Sequence, residues 1–106
     1  MARSDLEVAI RRQDGTVILD LIGDVDATAE TALQRAYDAA AADARAVVLN
    51  FSRTDYINST GIALIVRLLA DARTREIEIA ACGLSEHYRK IFEITRLSDF
   101  MRITDA

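Results

Sequence analysis

Apolar and charged residues alternate through DLEVAIR, so that Leu6, Val8 and Ile10 fall on one side of an extended chain. A period of two predicts a half-buried strand. Asp14-Gly15 supplies a tight turn and TVILDLI a second strand, and together they predict a β-hairpin. GDVDAT breaks the alternation. Beyond it Ala29, Ala32, Leu33, Ala36, Tyr37 and Ala40 recur at spacings of three and four, one face of an amphipathic helix. The alanine-rich YDAAAADA favours that helix by propensity. AVVLNF is short, almost wholly apolar and β-branched at Val47 and Val48, the pattern of a central strand covered on both faces. SRTDYINST leads into a second helix, predicted from Thr60 to about Thr74, with Ile62, Leu64, Ile65, Val66, Leu68 and Leu69 as its apolar positions. EIEIAA alternates as a further strand ended by Gly83. Ser85 is placed to cap a third helix whose inward stripe is Tyr88, Ile91, Phe92 and Thr95. FMRITD supplies a short last strand.

The resulting order, β-β-α-β-α-β-α-β, predicts an α/β fold: an initial hairpin, then strands alternating with helices through right-handed crossovers, hence a mostly parallel central sheet. In open sheets of this kind function gathers beyond the carboxyl ends of the strands. Two loops leave strands there and enter helices, GDVDAT and SRTDYINSTG, and they form the candidate site.

Composition narrows the class. The 106 residues suffice for a single domain, 1–106, with one modest core, and no linker, repeat or low-complexity segment divides them. A balance of 51% hydrophobic and 28% charged residues is that of a globular chain rather than a disordered one. The formal net charge of -4 argues against direct nucleic-acid binding, which wants a clustered basic face. No apolar run reaches the length of a bilayer, and MARSDLEVAIRRQDG lacks the apolar core of a secretion signal. A cytoplasmic protein without membrane insertion is therefore expected. The single cysteine, Cys82, excludes an internal disulfide framework and any cysteine-based metal cluster.

Small polar residues crowd the mouth of the second helix: Asn58, Ser59 and Thr60, followed by Gly61. Asn58 or Ser59 can serve as N-cap, its side-chain oxygen accepting an otherwise orphan backbone N–H. Ser59 can also project its hydroxyl from the helix N-terminus as a phosphate acceptor; the two roles are compatible. In the neighbouring loop Asp26 suits the cap of the first long helix, while Asp24 and Asp26 together can present an acidic docking surface. Asp55 reads as a turn residue. His87, the only histidine, lies early in a surface helix without a metal-binding companion. Cys82 reads as a small hydrophobe, not a reactive thiol. INSTG is not a G-x-S-x-G nucleophile elbow and GDVDATAE lacks the lysine and repeated glycines of a phosphate-binding loop, so enzyme activity is not expected.

LIGDVDATAE, VVLNFSRTDYINSTGIALIVRLL and CGLSEHYRKIFEITRLSDFMRI, in that order and spacing, resemble the segments of the STAS domain family, which includes anti-sigma factor antagonists and the cytoplasmic tails of sulphate transporters. The first is similar to the family's L-x-G-x-[LV]-D, the second to its strand, loop and helix with D-S-[ST]-G at the junction, and the third to its closing helix and strand. The resemblance spans essentially the whole chain. It implies an anti-sigma factor antagonist in a partner switch: an anti-sigma factor that is also a serine kinase phosphorylates Ser59, the unphosphorylated form binds that anti-sigma factor and frees a sigma factor, and a serine phosphatase resets the cycle. It further implies that Asp26 belongs to the kinase-facing surface, with Asp24, Asn58, Thr60 and Gly61 around it. No cofactor is implied for this chain, since ATP and Mg²⁺ would belong to the kinase. Asn58 stands where phosphorylated antagonists commonly carry aspartate; it keeps a capping oxygen but not the charge. The alternative is a non-phosphorylated STAS subunit of a transporter or signalling scaffold, in which Ile62, Ile65, Leu68 and Leu69 serve a constitutive interface.

Overall fold

The structure, a computed structural model, describes residues 6–104. The chain opens with β1 (Glu7–Gln13) and β2 (Thr16–Ile22), paired antiparallel with Gln13 opposite Thr16. Asp14 and Gly15 both take positive φ, 52° and 85°. A two-residue turn needs this conformation to follow the right-handed twist of its strands, and Asp-Gly adopts it with little strain. A 3₁₀ turn (Ala27–Ala29) leads into α1 (Glu30–Ala41). Then come β3 (Ala46–Asn50), α2 (Ser59–Arg75), β4 (Glu78–Cys82) and α3 (Glu86–Ile94), a second 3₁₀ turn (Leu97–Asp99) and β5 (Arg102–Ile103). The ends of two expected strands, Asp5 and Asp105, lie outside the described residues.

The sheet runs in the order β1-β2-β3-β4-β5, parallel from β2 onward. Because each crossover advances the same way, the right-handed rule puts the connecting helices on one face. Burial follows: Val17, Val47 and Ile79 form one register row, Leu19, Leu49 and Ala81 the next, and all six are buried. The intervening rows, Ile18-Val48-Ala80 and Asp20-Asn50-Cys82, are only half-buried. β3 is thus covered on one face only, whereas its apolar run predicted cover on both; with monotonic strand order no crossover among the described residues passes over the other side.

The amphipathic stripes pack as their spacing predicted, with two exceptions, Val66 and Thr95. Leu33, Ala36, Tyr37 and Ala40 of α1 and Leu64, Ile65, Leu68 and Leu69 of α2 are buried in a core that also holds Phe51 edge-on to Phe92, 5.8 Å between centroids. Ile65, Leu68 and Leu69 are therefore core residues and not an exposed interface, while Ile62 packs partly against the core. Val66 is 45% exposed. Thr95 is also exposed, its hydroxyl donating to the Ile91 carbonyl at 2.7 Å at the end of α3. Glu76 does not open β4: it closes α2 with φ 60°, its N–H donating to the Ala72 and Arg73 carbonyls.

Candidate functional site

Parallel pairing of β2 with β3 sends the two following loops out side by side, since Asp20 and Asn50 are register partners near the strand ends. The loops are joined. Gly23 N–H donates to the Arg53 carbonyl (3.1 Å), Val25 N–H to the Tyr56 carbonyl (2.8 Å) and Asn58 N–H to the Val25 carbonyl (3.3 Å), and Val25 pairs with Ile57 in an isolated parallel bridge. The Thr54 hydroxyl donates to the Leu21 carbonyl at 2.8 Å. From a third element, the Tyr88 hydroxyl of α3 accepts the Ile57 N–H at 3.0 Å. Tyr88 is foreseeable only as a member of the inward stripe; nothing in its sequence neighbourhood signals a strut under a loop thirty residues away.

Asn58 is the N-cap of α2. Its backbone is extended, its Oδ1 accepts the Gly61 N–H at 2.9 Å and its carbonyl accepts the Ile62 N–H at 2.9 Å. Ser59, the first helical residue, is exposed, and its hydroxyl has no hydrogen-bond partner among the described residues. The cap and the free hydroxyl are thus divided between neighbours. Thr60 is likewise exposed. Gly61 is buried, and a Cβ there would lie 1.9 Å from the Val25 carbonyl oxygen, so only glycine lets α2 begin this close to the first loop.

Asp26 departs from expectation. Its residue is 3% exposed, and its Oδ1 accepts both the Thr28 N–H (2.9 Å) and the Thr28 hydroxyl (2.6 Å). It caps the 3₁₀ turn ahead of α1, while α1 itself starts without a side-chain cap. Asp26 thus shapes the loop, and its carboxylate does not form part of an exposed acidic surface. Its neighbours in the chain explain why: Val25, tied to the second loop through Tyr56, Ile57 and Asn58, and Ala29 at the end of the 3₁₀ turn are both fully buried. Asp24 is half-buried and Asp55 exposed, so surface charge on these loops comes from those two and from exposed Arg53.

A polar network anchors the strand ends beneath the loops. Arg11 forks onto Asp20 at 2.7 and 2.8 Å, Asn50 Nδ2 donates to Asp20 at 2.7 Å, and Asn50 Oδ1 accepts the Ser52 N–H at 3.1 Å. The hydrogen bond from Arg11 holds the Asp20 carboxyl below its usual range, against a smaller opposing effect of burial. Cys82 lies at 3.5 Å from Asn50 Oδ1, and burial pushes its thiol up, away from thiolate reactivity. His87 is exposed and packs edge-on to Tyr88. Among the described residues, no group of three or more His, Cys, Asp or Glu side chains comes together to hold a metal, and no helix is long and apolar enough to cross a membrane.

The family described as STAS domain matches the chain over residues 7–106. An anti-sigma-B factor antagonist of Listeria monocytogenes is 33% identical over 58 residues, 55% of this chain and 51% of that protein. The matched stretch thus spans about half the length of such curated relatives. Among solved structures, an anti-sigma factor antagonist from Mycobacterium paratuberculosis superposes with a TM-score of 0.82 at 18% identity, over 96% of this chain and 87% of that one. A sulfate transporter family protein from Wolinella succinogenes gives 0.75 at 16% identity, over 86% and 77%. At these identities the two structures share the fold with this chain; they do not discriminate between an antagonist and a transporter module.

Proposed function

The chain belongs to the STAS domain family, and we propose that it acts there as an anti-sigma factor antagonist, binding an anti-sigma factor serine kinase and so freeing a sigma factor until phosphorylation of Ser59 ends the contact. One observation carries the reading: the Ser59 hydroxyl is exposed and unengaged at the first turn of α2 because Asn58 does the capping. The names of curated relatives, with one-third identity over the matched stretch, support the choice of antagonist over transporter module.

The switch acts on the interface and leaves the fold standing. A phosphate brings roughly -1.5 to -2 charge at neutral pH. The α2 N-terminus attracts it by only about 0.3–1 kcal/mol, too little to rearrange a domain. A buried or unmatched charge at a protein interface costs several kcal/mol, and each ~1.4 kcal/mol is tenfold in affinity. A penalty of about 4 kcal/mol turns a nanomolar complex into a micromolar one. The contact surface in this reading comprises Ser59, Thr60, Asn58 and Asp24; Asp26 and Gly61 hold it in shape from below. ATP and Mg²⁺ come with the kinase, and a serine phosphatase restores the binding form.

Incubation with candidate anti-sigma factor kinases and ATP, followed by phosphosite mass spectrometry, tests the proposal. Phosphate on Ser59, with Ser59→Ala binding the kinase persistently and Ser59→Asp weakly, is the expected result. Equal affinity of the two variants overturns it. Stable co-purification with a transporter ATPase, without phosphate uptake, returns the non-phosphorylated subunit instead.

A further inference from the structure

A groove of about 340 Å³ lies between the middle of α2 and the chain that follows α3, walled by Val66, Leu69 and Ala70 on one side and Thr95, Leu97 and Phe100 on the other. Phe100 is 55% exposed, although a residue of its size normally finds cover. The charged groups of the groove are guanidinium alone, Arg73 and Arg96. Arg96 is engaged with Asp99 at 2.9 Å. Arg73 has no carboxylate partner among the described residues; its guanidinium carbon stands 5.7 Å from the centre of the Phe100 ring, leaving the fork of donors free. The larger hollow beyond Arg73 and Phe100, about 840 Å³, is lined by Glu76, Glu78 and Asp99 as well as Arg102, so its charge is mixed.

A small concave site with apolar walls and one or two convergent charges is the ordinary form of a small-ligand pocket, and volumes from about 300 Å³ suffice. An α-helix is about 10–12 Å across and rests on a hollow of this size without filling it. We infer that the groove binds a small amphipathic carboxylate, an aliphatic or aromatic acid whose body lies against Val66, Ala70 and Phe100, the exposed apolar members of the lining, and whose carboxylate takes the Arg73 fork. Planar guanidinium pairs with carboxylate through two parallel hydrogen bonds, which fixes the ligand's orientation as well as its charge. The site lies roughly two to four turns along α2 from Ser59, so it stands or falls independently of phosphorylation.

Octanoate titrated into methyl- and Arg-Nε-labelled protein, followed by NMR, tests the assignment, with octan-1-ol and octyltrimethylammonium as matched controls. Saturable shifts at Val66, Leu69 and Leu97 methyls and at Arg73 Nε are expected for octanoate. Arg73→Gln weakens binding at least tenfold, because one hydrogen bond to a charged group already carries that much and the fork supplies two. Ala70→Leu, an exposed helix position that tolerates leucine, fills the groove and abolishes saturation; both variants are checked for an unchanged melting temperature. Octanol binding as tightly as octanoate, unchanged affinity in Arg73→Gln, or shifts scattered without saturation overturns the inference. So does an acidic peptide that moves these methyls when octanoate does not.

Discussion

Replacing Gly61 by alanine sets two physical effects against each other with opposite signs. Within α2, alanine is the better helix former by about 1 kcal/mol, so propensity alone forecasts a more stable protein. The new Cβ, however, meets the Val25 carbonyl oxygen at 1.9 Å and its carbon at 2.8 Å, well short of the 3.4 Å at which ordinary van der Waals contact begins. The obstacle is backbone and cannot rotate away. Val25 must retreat, and with it go the bonds Val25 N–H to Tyr56 and Asn58 N–H to Val25. Overpacking of this kind costs about 1–3 kcal/mol, and each lost hydrogen bond about 0.5–1.5 kcal/mol. After the propensity gain the net destabilisation is about 1–5 kcal/mol, a fall in melting temperature on the order of 5–25 °C for a domain of this size. Thermal unfolding followed by circular dichroism measures the total, and amide exchange at Val25 and Asn58 locates it. Ala63→Gly, on the exposed side of the same helix, is the control and loses only about 1 kcal/mol. A Gly61→Ala protein that melts at or above the wild type refutes the close approach of the two loops.

Asn58→Ala removes the α2 cap and costs about 1 kcal/mol, whereas Asn58→Asp keeps an accepting oxygen, adds negative charge at the helix N-terminus and gains about 0.3–1 kcal/mol; chemical denaturation ranks all three. Ser59→Ala and Ser59→Asp leave the melting temperature within a few degrees of wild type, because an exposed hydroxyl without a partner contributes within about 0.5 kcal/mol, and a large loss in either contradicts the unengaged hydroxyl. Asp20 has a depressed carboxyl pKa in the folded state, so its contribution is complete above the ordinary value of 3.8 and is lost as pH falls through the lower folded value. Asp20→Asn therefore flattens the acid limb of the stability-against-pH curve, and an unchanged limb counts against the Arg11 hydrogen bond as its cause.

Periodicity along the chain carried most of the elements. Alternation located the hairpin and β4, three-and-four spacing located α1 and α2, and the serine at 85 located the start of α3, because each is a property of residues a few positions apart. Where a neighbour's choice mattered, local pattern misled. Glu76 alternates with Glu78 like a strand residue, yet it serves as the left-handed stop of α2. Val47 and Val48 read alike, but only Val47 is buried, since strand order puts the helices on one face. The candidate site divides the same way. Its central residues, 58–61, are contiguous, and a small polar cluster before an apolar helix is visible to inspection. Which of Asn58 and Ser59 caps, and which keeps a free hydroxyl, depends on the angle at which α2 enters. That angle is set by the Val25–Ile57 bridge, the contact of Gly61 with Val25 and the Tyr88 strut beneath Ile57. The burial of Asp26 has the same origin. By itself the sequence determined the elements and the chemistry available at their ends; packing between segments some thirty residues apart decided which of those groups faces water, because burial belongs to neighbours in space and not to neighbours in the chain.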